Sequence, residues 1–217
     1  MKTIDLHNHT TFSYDGTDTP EAIIENAIAQ NVDVIGISDH QFTIGENLPG
    51  YIRKIHSLQE KYAGKIHVLC GLEIGTRPKP DNLILSNCRG LDFCLFESLD
   101  SPTGMDLFEF LEWRRLFSIP VGLAHTDIFS LSARYGVDML RILQQEHIFW
   151  ELNTSGNYSY YYDFLTNREK QAAAAQSDII MSVGSDTHRT IDFSAPKLRR
   201  VHALLRGLKI PIMFDES

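Results

Sequence analysis

The chain has few cysteines, no long apolar run and a shortage of basic charge, and each scarcity narrows its chemistry. Cys70, Cys88 and Cys94 are an odd number with no CxxC spacing. That spacing argues against a zinc ribbon or a disulfide framework, and the three read as reduced core thiols. No stretch of 18 apolar residues occurs, and no signal-peptide core follows Met1-Lys2-Thr3-Ile4-Asp5-Leu6. The expectation is a cytoplasmic protein with no membrane partner. Lysine and arginine total 20 against 28 acids, a formal net charge of −8. A basic face for an extended nucleic-acid duplex is not expected, because such binding rests on phosphate neutralisation. An anionic small substrate remains open, since bound divalent cations reverse the local sign of an acidic site. No GxGxxG loop follows the first apolar run, no GxSxG elbow occurs and no CxxxxxR phosphatase loop is found.

What is present is an alternation. Apolar runs lie at Thr3–His7, Val32–Ser38, Ile66–Leu72, Leu91–Phe96, Ile119–Ala124, His147–Leu152, Ile179–Val183 and Lys209–Met213. Their length and branched residues suit buried strands. Amphipathic segments at Pro20–Gln30, Ser57–Tyr62, Leu107–Phe117, Val137–Gln145, Arg168–Gln176 and Pro196–Leu205 read as helices. Thr19-Pro20-Glu21 supplies a cap, a first-turn proline and an acid at a helix start. Strand–helix alternation without a linker, repeat or low-complexity tract predicts one α/β domain over residues 1–217 with a parallel sheet. Seven or eight units close most naturally into a TIM-like barrel. An open doubly wound sheet is the other reading.

Histidines and carboxylates gather where these runs end. The first run leads into Asp5-Leu6-His7-Asn8-His9, with two imidazoles on one face of the strand. Others end in Ser38-Asp39-His40, Glu73, His125-Thr126-Asp127 and Ser185-Asp186-Thr187-His188. In a barrel these ends share one rim, where imidazoles and carboxylates suit zinc, manganese or iron. Asp39 and Asp127 have two readings: each orients a neighbouring imidazole from outside the metal shell, or caps the loop that follows. His56, His67, His147 and His202 read as structural.

Together His7-Asn8-His9-Thr10, Ser38-Asp39-His40, Glu73, Ala124-His125 and Ser185-Asp186-Thr187-His188 resemble the motifs of the PHP (polymerase and histidinol phosphatase) superfamily. The likeness runs from residue 3 to about residue 205. It implies a distorted (β/α)7 barrel with two to three divalent ions at the C-terminal rim of the strands. It implies further that phosphoesters are hydrolysed by a water those ions activate, with no protein nucleophile. His7, His9, Glu73 and Asp186 would hold one ion. Glu73 would bridge to a second, bound by His125. Asp15, His40 and His188 would hold a third. The stretch from His9 to Gly16 is similar to the small stand-alone phosphoesterase branch, where the Asp15 position is Asp. Histidinol phosphatases more often place His there.

One departure stands out. The superfamily commonly supplies a histidine after the fourth strand, whereas this chain reads Phe96-Glu97-Ser98-Leu99-Asp100. Glu97 or Asp100 is a candidate replacement, and without one the second site is expected to be weak. Arg77 and Arg134 are candidate phosphate binders or ordinary surface arginines. Specificity is expected from the loops Thr43–Gly50, Arg77–Pro80, Phe129–Gly136 and Gly156–Asp163. The last holds Tyr158, Tyr160, Tyr161 and Tyr162, either to stack on a ring or to pack as a lid or subunit contact. The function expected is hydrolysis of a small phosphorylated metabolite or short nucleotide, with histidinol phosphate as an alternative substrate. A non-catalytic metal-binding module and an amidohydrolase-type C–N hydrolase are the readings from other classes. The latter characteristically needs a bridging lysine, and Leu91–Asp100 has none.

Overall fold

The computed structural model describes residues 2–77 and 88–215. It is an α/β fold of parallel strands. The strands are β1 (Ile4–Asp5), β2 (Val34–Ile37), β3 (His67–Cys70), β4 (Glu73–Gly75), β5 (Cys94–Glu97), β6 (Val121–Leu123), β7 (Ile148–Asn153) and β8 (Met181–Gly184). One sheet has the order β1-β2-β3 and the other β4-β5-β6-β7-β8, and among the described residues every pairing is parallel. Strands covered on both faces should be apolar throughout, and Val34–Ile37 and Met181–Gly184 are buried at every position.

Backbone hydrogen bonds also cross between the sheets. At one seam Leu6 donates to the Val183 carbonyl at 3.0 Å, Asp186 to His7 at 2.9 Å, and His9 to Thr187 at 2.8 Å. At the other, Glu73 donates to Asp39 at 3.1 Å and Asp92 to Cys70 at 2.8 Å. The run through Ile66–Leu72 therefore ends before Glu73, and a separate strand starts there. At the far end, Lys209–Met213 contributes an isolated bridge from Ile212 to Met181 rather than a strand.

The helices are α1 (Pro20–Ala29), α2 (Gln41–Ile44), α3 (Leu48–Lys61), α4 (Leu107–Arg114), α5 (Ile128–Tyr135), α6 (Met139–Gln145), α7 (Ser159–Thr166), α8 (Arg168–Gln176) and α9 (Ala195–Gly207). In α1 the Thr19 hydroxyl accepts from the Ala22 amide and Ile23, Ile24 and Ala27 face the core.

Three of the segments read as specificity loops are in large part helical. Thr43–Gly50 runs through the end of α2, a 3₁₀ turn and the start of α3. Pro49 falls in the first turn of α3, where its missing amide costs no bond. Phe129–Gly136 is α5, ended by Gly136 at φ 64°. Gly156–Asp163 leads into α7. Of Arg77–Pro80, residues 78–80 lie outside the described residues. Among the described residues no helix is long and apolar enough to cross a membrane. All three cysteines are buried, with none in a disulfide.

Candidate metal centre

The site grows from the exits of β1 and β8. Asp5, fully buried, accepts from the Ser185 amide at 2.9 Å, the Ser185 hydroxyl at 2.6 Å and the His7 amide at 3.2 Å. Burial pushes its pKa up to about 6 against these hydrogen bonds. This clamp sets the HxH segment beside the Asp186 segment. His7 and His9 then point the same way, their Nε2 atoms 3.0 Å apart.

Glu73 lies beneath both and meets four imidazoles. Its carboxylate is 3.2 Å from His7 Nε2, 3.4 Å from His9 Nε2, 2.9 Å from His40 Nδ1 and 3.0 Å from His125 Nε2. Asp186 Oδ1 stands 3.7 Å from His7 Nε2 and 3.4 Å from His9 Nε2. On the outer side Asp15 Oδ2 lies 3.5 Å from His40 Nε2 and 3.2 Å from His188 Nε2. Gly16 lets this loop fold back, since a Cβ there would sit 2.0 Å from the Thr10 carbonyl oxygen.

Hydrogen bonds on the far nitrogens fix the imidazole tautomers. His7 Nδ1 is 2.8 Å from the Glu151 carboxylate, which can only accept, so His7 donates there. His9 Nδ1 is 3.2 Å from Ser13 Oγ, whose own proton goes to Asp39 at 2.7 Å. His188 Nδ1 donates to the Asp186 carbonyl at 2.9 Å. With those protons placed, the Nε2 atoms of neutral His7, His9 and His188 present lone pairs to carboxylate oxygens. Acceptors face acceptors: His40 Nδ1 and Glu73 Oε2 stand 2.9 Å apart without the alignment of a hydrogen bond, and they and Asp15 Oδ1 are buried with no hydrogen-bond partner among the described residues. Such a donor set fits divalent cations. Among the described residues four groups have ligand atoms within 4.8 Å of one another: His9–Asp15–His40–His188, His7–Glu73–His125, His7–His9–Asp186 and His40–Glu73–Glu97.

Without a cation, protons must balance this charge. Burial disfavours an imidazolium at His7, yet Glu151, Glu73 and Asp186 raise its pKa well above 6.5. At His125 burial is likewise overcome by Glu73, and its pKa rises to about 9. For Glu73 burial opposes ionisation, but the surrounding imidazoles hold it well below the usual carboxylate range. His9 moves down, through burial and through its His7 and His40 neighbours. Backbone strain gathers here too: His125 at φ 30°, Asp186 at φ 56° and Ser98 at φ 64° are non-glycine residues in the left-handed region.

The remaining candidates separate. Glu97 comes within 3.7 Å of His40 Nδ1. Asp100 instead accepts from the Asp127 amide at 2.9 Å. Asp127 caps α5 through the Phe129 and Ser130 amides at 3.1 and 3.0 Å, so it takes the capping role rather than orienting an imidazole. Asp39 takes from both readings: it pins the Thr10 amide at 2.6 Å and supports His9 through Ser13. Arg134 turns away and binds the Ser101 carbonyl at 3.3 Å and the Asp100 carbonyl. Arg77 is exposed. His202 is buried far down the chain, with Nε2 2.8 Å from the Ile4 carbonyl oxygen. His56 lies 2.7 Å from the Gly90 carbonyl oxygen.

Glu151 is absent from the residues the sequence suggests, whereas Tyr158 is among its loop tyrosines. Glu151, fully buried on β7, also accepts from the His125 amide at 2.7 Å and Asn153 Nδ2 at 3.1 Å. Its signal was an acid inside the apolar run Phe149-Trp150-Glu151-Leu152. Tyr158 donates to Asp186 Oδ2 at 3.1 Å and stacks on His125 with centroids 4.5 Å apart. A polar cleft of about 380 Å³ opens beside Asp186 and His188, bordered by Ser155, Asn157, Arg189 and Lys197.

Fold and site together define a parallel α/β protein with a cluster of metal-type ligands at its strand ends. A family model described as the PHP domain matches residues 5–99. A histidinol-phosphatase of Lactococcus lactis is 33% identical over 81 residues, covering 35% of this chain and 30% of that protein. The aligned region thus spans under a third of the curated relative's length. The structure is similar to that of histidinol phosphate phosphatase from Lactococcus lactis complexed with zinc, L-histidinol and phosphate, at a TM-score of 0.71 and 18% identity. That match covers 97% of this chain and 95% of the other. A putative histidinol phosphatase from Listeria monocytogenes matches with a TM-score of 0.62 and 17% identity, covering 88% of this chain and 97% of its own. The PHP domain match is thus confined to residues 5–99, and over the rest of the chain the likeness to these phosphatases is one of fold.

Proposed function

We propose that the chain is a metal-dependent phosphatase for a small phosphomonoester, with histidinol phosphate as the first substrate to test. The observation that carries this is Glu73, a buried carboxylate met by four imidazoles that arrive from three other strand ends. The relatives favour histidinol phosphate, since one is complexed with zinc, L-histidinol and phosphate. Asp15 keeps the wider phosphomonoester class in the test, because histidine is more usual there in histidinol phosphatases. The seam hydrogen bonds support one distorted seven-unit barrel over residues 1–217, closed between β1 and β8, with the site at its C-terminal rim.

His7, His9, Glu73 and Asp186 are the ligands proposed for one ion, and Asp15, His40 and His188 for another. Glu73 and His125 serve the remaining ion. Bound divalent cations, zinc, manganese or iron, would lower the pKa of a coordinated water and neutralise phosphoryl charge. The protein's own part is orientation. Glu151 holds His7 in its tautomer, Ser13 does the same for His9, and Tyr158 steadies Asp186 and His125.

The test is turnover by metal-loaded protein on a panel of histidinol phosphate, simple alkyl phosphates, nucleoside monophosphates and a phosphodiester. Phosphomonoester hydrolysis that disappears with chelator is expected. Full metal occupancy without turnover of any of them would favour a metal-binding module.

Two further results are expected. Glu97 stands where a histidine is usual, so Glu97→Gln should lower the occupancy of one ion while the other two stay filled. Metal-edge anomalous diffraction reads this, and three unchanged ions would show that Glu97 is no ligand. Metal uptake should also release protons. With a pKa of about 9 in the metal-free protein, His125 carries a proton at neutral pH that must leave before it can ligate. Affinity should therefore rise as pH increases toward 9 and fall as it decreases. Calorimetry in buffers of different ionisation enthalpy measures the release, and a pH-independent affinity would contradict it.

A further inference from the structure

We propose that Tyr14 and Phe42 form a platform on which an aromatic ring of the substrate's alcohol portion stacks, making them specificity-determining residues. The inference rests on the phosphatase reading above and deepens it. Both side chains are large, apolar and exposed, Tyr14 at 71% and Phe42 at 56%. Singly exposed apolar residues are ordinary, whereas adjoining ones at the edge of a site mark binding. These two adjoin. Their ring centroids are 5.5 Å apart, and each also meets the ring of His40, at 5.6 Å from Tyr14 and 5.0 Å from Phe42. The three rings make one aromatic lip that is buried at its His40 end and open at the other.

The lip's position follows from the ligand set. Tyr14 immediately precedes Asp15, and Phe42 lies two residues after His40 at the start of α2. Any group bound at His40 thus has the platform next to it. Both open rings present π faces, which favour another flat ring over a charged or flexible chain. Such stacking tolerates different rings, because every aromatic base or imidazole has a π face. The ligand class is therefore a phosphomonoester whose phosphate is joined to an aromatic or heteroaromatic ring by a short linker. The imidazole of a histidinol-type ester and the base of a nucleotide both satisfy it.

The test uses two non-hydrolysable probes on the zinc-loaded full chain, 2-phenylethylphosphonate and n-butylphosphonate, with affinities from calorimetry. The intact protein should prefer the ring-bearing probe. Phe42→Ala and Tyr14→Ala should each cut that preference about tenfold with zinc content unchanged, and Phe42→Trp should retain it. No preference in the intact protein, binding of neither probe, or equal weakening of both probes in the variants would overturn the proposal. The matching phosphate esters are assayed in parallel. Ring-selective binding without turnover would keep the platform and remove the phosphatase reading. Histidinol phosphate and a nucleoside monophosphate, compared in the same variants, show which ring loses more.

Discussion

Glu73→Ala is expected to strip the protein of more than one metal ion per chain and to lower kcat/KM at least about 1,000-fold, roughly 4 kcal/mol of transition-state stabilisation. The size follows from sharing. A carboxylate that merely orients a ligand is worth about 10–100-fold in affinity or activity. Glu73 is within 3.4 Å of four imidazoles contributed by three other strand ends, so its loss removes a counter-charge from each at once. The side chain is 1% exposed, and water cannot take its place without entering a closed cluster. Glu73→Gln separates charge from shape: it keeps the volume, but its amide nitrogen points a donor into a set of ligands. It should bind metal nearly as poorly as the alanine variant. Elemental analysis after dialysis, together with phosphomonoester turnover, measures both. Arg134→Ala, which loses bonds to backbone carbonyls away from the cluster, should retain its metal. A Glu73→Ala protein with full metal content would refute the central role given to this residue.

The second large effect belongs to a residue with no side chain. Gly184 ends β8, and a Cβ there would lie 2.0 Å from Glu151 Oε1 and 2.6 Å from His7 Cβ. Gly184→Ala therefore forces Glu151 off His7 Nδ1, and the His7 ring or the β8 backbone must yield. Overpacking of this kind costs about 3 kcal/mol, which for a chain of this size lowers Tm by roughly 6–12 °C. Metal affinity should fall in the same variant, because Glu151 no longer holds the His7 tautomer and the His125 amide. The comparison that isolates the second effect is Glu151→Gln, which makes no clash. Its carbonyl oxygen can still accept from His7, so its Tm should change less than that of Gly184→Ala, and its metal affinity should fall about 10–100-fold. If Gly184→Ala melts with the intact protein and holds its metal, the packing read around Glu151 is wrong.

The sequence by itself determined the parallel strand-and-helix order and where ligand chemistry falls along it. Apolar runs of strand length ended at His7, His40 and His125, and a ligand type placed after a strand is a local pattern. The two-residue spacing of His7 and His9 is likewise local, because a strand alternates its faces. Helix α3 was also within reach: Leu48, Tyr51, Ile52, Ile55 and Leu58 follow a helical period, yet the expected loop ran to Gly50 and the expected helix began only at Ser57, although the first turn of a helix tolerates Pro49.

Tertiary structure alone decided which acids meet which imidazoles. Glu151 and His7 are 144 residues apart, and Asp5 and Ser185 are 180 apart. Nothing near either member of a pair announces its partner, because the contact exists only once β1 lies beside β8. The same holds for Asp100 and Asp127, which look like Glu97 and Asp39 on paper but face a helix start instead of the cluster. A carboxylate's role is set by what it faces, and facing is a property of packed strands. Tyr14 and Phe42 make the point from the other side: exposed apolar rings 28 residues apart become one lip because His40 lies against both.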